Sequence, residues 1–174
     1  ILSADVWTQK SGKLLYEHVD ELEMICRYSR STELPKIMTF AVETAMRRSE
    51  ITGLQSANVN LEKRVALLPL TKNGSSRGVP LSSKAVDILS NLAEREDGRC
   101  FRSRPDSITK AFANAVADAR SSYTEGLSLH LKHKKLSQDK IDKRIKADPF
   151  LIDLRFHDLR HEATSRLAEI FPLH

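Results

Sequence analysis

RVALLPLTKNGSSRGVPL, residues 64–81, is the stretch on which the fold reading turns. Two short apolar runs, RVALLPL and RGVPL, flank the turn residues TKNGSS, with Asn73-Gly74 in the connection. Asn-Gly supplies the positive φ angles that a tight connection needs, so the stretch predicts a β-hairpin. Pro69 and Pro80 carry no amide for a ladder, which assigns them to strand ends or edge positions. A further strand around residues 58–61 would complete a small antiparallel sheet.

On either side the spacing becomes helical. Residues 17–28, EHVDELEMICRY, repeat Val19, Leu22, Ile25 and Cys26 at intervals that predict one helix. Residues 33–46, ELPKIMTFAVETAM, do the same, with Pro35 in the first turn where its missing N–H costs little. A short helix from Ser49 is expected to end at Gly53, with Ser49 as its cap. Beyond the hairpin, residues 83–95 place Val86, Leu89 and Leu92 on one face, and Gly98 breaks the pattern. Residues 105–120 open with proline and carry Ile108, Phe112 and Val116. Residues 121–150 are polar, lysine-rich and weakly periodic, and read as a loop, open to motion, followed by a charged helix near 137–147. A last helix is expected from about His157 to Glu169. The fold class is therefore α+β, mostly helical with one small antiparallel sheet.

Composition narrows the function classes. The 174 residues are 40% hydrophobic and 29% charged, as in ordinary folded domains. No apolar run approaches the roughly 18 residues of a membrane span. ILSADVWTQKSGK at the start has neither an initiator methionine nor the layout of a secretory signal, so a piece of a longer chain is expected. Two cysteines, Cys26 and Cys100, make no disulfide framework and fit a reducing compartment. The formal charge of +5 permits a nucleic-acid partner without requiring one. Basic residues are spread along the chain instead of forming a tail, which favours a folded basic surface.

Three segments stand out together. TAMRRSEITGL, 44–54, holds Arg47 and Arg48 with Glu50 three residues on; Arg47 alone would read as a solvated helix end, Arg48 as solvent-facing, and Glu50 as a surface ion-pair partner. A guanidinium presents a planar fork that matches two phosphate oxygens. LPLTKNGSSRGVPLS, 68–82, holds Lys72 at the turn and Arg77 on the second strand; hairpin lysines are usually only solubilising. FHDLRHEATSRL, 156–167, puts His157, Arg160 and His161 near one helix face. His157 and His161 form an HxxxH pair, but without the glutamate of HExxH and without an evident third ligand, so a metal site is not expected. His161 by itself reads as a histidine satisfied in the core.

In this order and spacing, the three segments resemble the catalytic domain of the tyrosine recombinases of phage-integrase type over roughly residues 30–171. The resemblance implies the DNA breaking-and-rejoining fold of that family, with residues 1–174 as a single partial catalytic domain and 121–150 as an insert. It implies that Arg47 and Arg160 hold the scissile phosphate and that His157 hydrogen-bonds it and assists proton transfer. Lys72 would protonate the departing 5′ oxygen, and Glu50 would orient an arginine. Arg77 is left between a phosphate contact and a plain exposed strand residue, with the second favoured. The implied reaction joins a tyrosine oxygen to a DNA 3′ phosphate with no cofactor and no metal. The family's tyrosine lies downstream of its His-x-x-Arg pair, whereas Tyr16, Tyr28 and Tyr123 all precede Arg160. The nucleophile and the N-terminal DNA-clamping domain are thus expected to be absent from this chain, which alone would not cleave DNA. Double-stranded DNA is the implied partner, a homotetramer on DNA the implied assembly of the full-length protein, and a monomer the expected state of this piece. The implied setting is the cytoplasm of a bacterium, encoded there or by a phage. Two alternatives stand beside this reading: a non-catalytic, DNA-binding truncated integrase, and a type IB topoisomerase-like enzyme.

Overall fold

The computed structural model describes residues 1–10, 13–69 and 76–170. Its contacts gather into two compact units: Ile1–Arg30 with Phe112–Leu154, and Ser31–Ala111 with Arg155–His174.

The second unit holds Arg47, Arg48, Glu50, Arg77, His157, Arg160 and His161. Its α2, Leu34–Thr44, buries Leu34, Ile37, Met38, Phe40 and Ala41, the face expected from the spacing. Just before α2, the Glu33 carboxylate accepts the backbone N–H groups of Arg102 and Ser103, both at 2.8 Å. The helix ends at Ala45, which adopts a left-handed φ of 50° and donates its N–H to Ala41 O. A short α3, Arg48–Thr52, follows, and its N-cap is Arg47, two residues earlier than the expected Ser49. Arg47 has the extended backbone of a cap, Ser49 already lies inside the helix, and the Glu50 carboxylate takes the Arg47 N–H at 2.8 Å. Gly53 closes α3 as expected.

The apolar runs of that stretch and the strand before them form the expected antiparallel sheet, β3 (Val59–Asn60), β4 (Val65–Leu68) and β5 (Arg77–Pro80), in that spatial order, while the expected Asn73-Gly74 connection lies outside the described residues. Val65 faces Pro80 and Leu68 faces Arg77, so Pro80 lies on an edge strand. Ala66, Leu68 and Val79 are buried, whereas Leu67 is exposed, the period-2 alternation of a one-sided sheet. Ser82 caps α4, Ser83–Ser90, by accepting the Ala85 N–H. This helix stops before the expected Arg95; the turn at Asn91 ends it, and Gly98 adopts its positive φ only later, in the loop. The final helix α7, Asp158–Ile170, packs against α2 and buries Leu159 and Ala163.

The first unit departs further from expectation. Two strands, β1, Ser3–Lys10, and β2, Lys13–Asp20, pair antiparallel, a pairing that helical spacing concealed. Val19 belongs to the strand, and helix α1 begins only at Glu21, capped by the Asp20 carboxylate on Glu23 N–H at 2.7 Å. Buried Glu21 ties the unit together by accepting the N–H groups of Leu2 (2.9 Å) and Leu151 (2.6 Å). The loop expected after residue 120 is helix: α5 runs Pro105–His133, its later turns lying in this unit. Buried Tyr123 and Leu131 hold those turns inward, while polar neighbours face out. The charged helix near 137–147 is present as α6, Gln138–Ala147. Arg120 fastens its end by donating to Ile145 O, Asp148 O and Phe150 O at 2.6–3.1 Å.

Candidate active site

The break between α2 and α3 sets the position of Arg47. The left-handed turn at Ala45 buries Met46 and then releases Arg47 at the mouth of α3. There Glu50 grips it twice, by the backbone N–H and by the guanidinium Nη1 at 2.9 Å. The same carboxylate accepts Arg77 Nη2 at 2.8 Å. The Glu50 side chain is only 10% exposed and the two arginines 39% and 36%. Burial raises the Glu50 carboxyl, but the amide and guanidinium of Arg47 and the charge of Arg77 outweigh it and hold the pKa below the usual carboxylate range. Glu50 therefore stays ionised and braces both cations.

Arg77 is thus half-buried and paired, where a plain exposed strand residue was favoured from the sequence. The cause is register: β5 pairs Arg77 with Leu68 at the end of the ladder next to the connection, within reach of Glu50 on α3. Its Nε is buried without a hydrogen-bond partner.

Arg160 enters from the first turns of α7 and donates to Ala45 O, the carbonyl that ends α2. A cation at a helix C-terminus is favoured by the local dipole. Burial, then the like charge of Arg47, lowers the Arg160 pKa, with Glu50 opposing. The guanidinium stays charged nonetheless, since an arginine starts far above neutral pH. His157 sits in the turn just before α7 and is exposed; its ring meets that of His161 edge-on at 5.0 Å. His161 is exposed too, not satisfied in the core, because Leu159 and Ala163 take the inward positions of α7.

Arg47, His157 and Arg160 line one open concavity of about 250 Å³, together with Ala41, Met46, Arg48, Ser49 and Phe156. Three sequence candidates thus meet in a single place, and Glu50 and Arg77 lie directly behind Arg47. Arg48 was expected to face solvent, yet it also lines this concavity and donates to the Thr109 hydroxyl. No local sequence signal gives this away, because the position of Arg48 depends on its hydrogen bond to Thr109 on α5. Lys72 lies outside the described residues. Among the described residues no group of three His, Cys, Asp or Glu side chains is placed to hold a metal ion. The arrangement is a shallow, strongly cationic bowl whose fixed donors suit a tetrahedral oxyanion.

Comparison with known proteins agrees in one direction. The sequence profile of the phage integrase family matches residues 13–170. A Haemophilus influenzae protein described as an integrase/recombinase is 34% identical over 167 residues, covering 92% of this chain and 45% of its own length. The shufflon-specific DNA recombinase of Escherichia coli is 36% identical over 152 residues, covering 86% of this chain and 32% of its own. The chain thus spans less than half the length of these curated relatives. Among solved structures, the Tn1549 transposon integrase with circular intermediate DNA superposes with a TM-score of 0.55 at 16% identity, over 87% of this chain and 52% of that one. A second structure of that integrase gives 0.55 at 17%. At these identities the likeness establishes the fold, that of an integrase catalytic domain.

Proposed function

The chain belongs to the phage integrase family, and from that premise we propose that it supplies the phosphate-holding part of a site-specific DNA recombinase. The observation that carries the reading is the convergence of Arg47, His157 and Arg160 on one concavity, with Arg47 braced by Glu50.

In the proposed reaction a tyrosine oxygen attacks a phosphodiester of duplex DNA. The new bond joins that oxygen to phosphorus, and the bond to the 5′ oxygen breaks. The departing oxygen takes a proton, the task proposed for Lys72. A 5′ hydroxyl from another strand reverses the step, so the bond energy is conserved in the phosphotyrosine link. Arg47 and Arg160 take the non-bridging oxygens, whose negative charge rises in the transition state. Exposed His157 donates to the same oxygens. Glu50 and Arg77 act one step back, as positioning residues for Arg47.

None of the chain's three tyrosines is assigned the attack. Tyr123 is buried and donates to Asp148 at 2.8 Å, and burial drives its phenol above the usual tyrosine pKa. Tyr28 is paired with Ser122. Tyr16 is 58% exposed on the β2 strand. We assign the nucleophile to another segment or chain, the site of action to DNA in the cell interior, and assembly on DNA to the full-length protein.

The test is binding of a fluorescein-labelled duplex by the 174-residue chain and by Arg47→Ala, Arg47→Lys and Arg160→Ala. Each alanine variant is expected to weaken binding about tenfold, as loss of a charge-assisted fork at about 1.5–3 kcal/mol requires. The lysine variant should recover only part, since a point charge cannot replace the fork. Unchanged affinity in both alanine variants would contradict the reading. On a denaturing gel the unmodified chain should leave no protein–DNA adduct.

A further inference from the structure

The chain has 28 basic and 23 acidic residues, and their balance is not evenly distributed. Residues 132–146 hold seven of the basic residues and two of the acids, Asp139 and Asp142. The rest of the chain holds 21 of each. Basic residues are spread along the sequence in number, as expected, but the whole surplus of +5 resides in one segment of the first unit.

That segment is folded. The end of α5 turns at Lys135, whose φ is 58°, and Leu136 N–H closes the turn on Leu131 O at 3.2 Å. Helix α6 follows, with Ile141 buried beneath it and Arg120 fastening its last carbonyls. All seven cations, Lys132, Lys134, Lys135, Lys140, Lys143, Arg144 and Lys146, are exposed. Lys140, Lys143 and Arg144 share one face of α6 by their spacing of three and four. Lys134 and Arg144 line a common concavity, which brings the end of α5 and the face of α6 together. The only ion pair found for these cations among the described residues is Lys143 with Asp139, at 3.0 Å between side chains more than 70% exposed. Such a pair is weak and open to exchange.

We infer that this face of α6 and the end of α5 is a second DNA contact, which grips the phosphate backbone of duplex DNA without reading its sequence. The inference rests on the proposal that duplex DNA is the substrate. Seven exposed cations against two acids on ordered backbone set up a local positive field that attracts a polyanion, and a phosphate row releases its condensed counterions when it binds there. Lysines that track a backbone need charge and reach, not the bidentate geometry of the arginine bowl.

The test is a salt titration of duplex binding, from about 50 to 200 mM, by the 174-residue chain and two double variants. Lys140→Gln/Arg144→Gln removes two charges from the face. Lys36→Gln/Lys84→Gln removes two exposed charges from the α2–α4 side of the second unit and controls for net charge. The first should make the slope of log affinity against log salt shallower by about 1.8, at roughly 0.9 per phosphate contact. The control should leave it unchanged. Equal effects of the two, or none from the first, would overturn the inference. So would tighter binding of the chain to duplex RNA or anionic vesicles that the first variant alone abolishes, with DNA binding intact. The Arg47→Ala variant separates the two proposals: weakening there with a silent α6 variant removes only this one. Failure of the unmodified chain to bind duplex at any salt in the range removes both.

Discussion

At the scale of single residues, Glu50 decides whether the arginine bowl is ordered. One carboxylate satisfies an amide and two guanidinium groups, and its folded pKa lies below its ordinary value. A carboxylate shifted down contributes stability that is present above its unfolded pKa of about 4.3 and lost as pH falls through the lower folded value. Glu50→Gln should therefore cost about 1–3 kcal/mol at neutral pH, the range for breaking a buried charged hydrogen bond. The gap to the unmodified chain should narrow as denaturant melts are taken below about pH 4. A gap constant from pH 7 to 3 would show that Glu50 has no depressed pKa. Ala45 is the second telling position. Its φ of 50° is unfavourable for a residue with a Cβ, yet it shapes the turn that presents Arg47 and offers the carbonyl to Arg160. Ala45→Gly should stabilise the chain by about 0.5–1 kcal/mol, relief of strain outweighing the added freedom of the unfolded state. A lower melting temperature would mean that the turn relaxes in solution.

At the scale of elements, Gly126 explains how the first hairpin is seated. A Cβ at Gly126 would lie 1.8 Å from Trp7 O, so the strand backbone rests directly on α5. Trp7 is the only tryptophan and stacks on His130 with ring centroids 3.7 Å apart. Gly126→Ala should cost about 1–3 kcal/mol by overpacking, and Trp7 emission should shift to the red as the hairpin lifts. Unchanged emission and stability would place the hairpin elsewhere. This element was not legible in the sequence, for a physical reason. Val19 falls at helical spacing from Leu22 and Ile25 but is buried from a strand, and periodicity cannot tell the two apart over so short a run. The continuation of α5 was missed because after Tyr123 inward residues are sparse and one of them is glycine. The pairing of β4 with β5, by contrast, was legible because short apolar runs bounded by prolines are local signals. In the candidate site, Arg47, Glu50, His157 and Arg160 were proposed from motif order, and they lie together in the fold. Arg48 and the Arg77–Glu50 pair were not, because they depend on where α5 and β5 come to lie.

At the scale of the whole molecule, cationic groups fall into two kinds. The bowl of the second unit is fixed by Glu50, Ala45 O and short turns, and suits one phosphate held in one orientation. The lysine face of the first unit is exposed and only weakly paired, and suits many phosphates held loosely. The family assignment and the integrase fold hold for this chain; the full reaction is the proposal built on them. Its central claim is that Arg47, His157 and Arg160 close on a DNA phosphate. The most direct measurement is an NMR titration of the chain with a short duplex, following the arginine Nε–H and histidine ring signals assigned by substitution. The signals of Arg47, Arg160 and His157 should move together and saturate with the binding curve. Saturation of binding with those three signals unmoved would contradict the account.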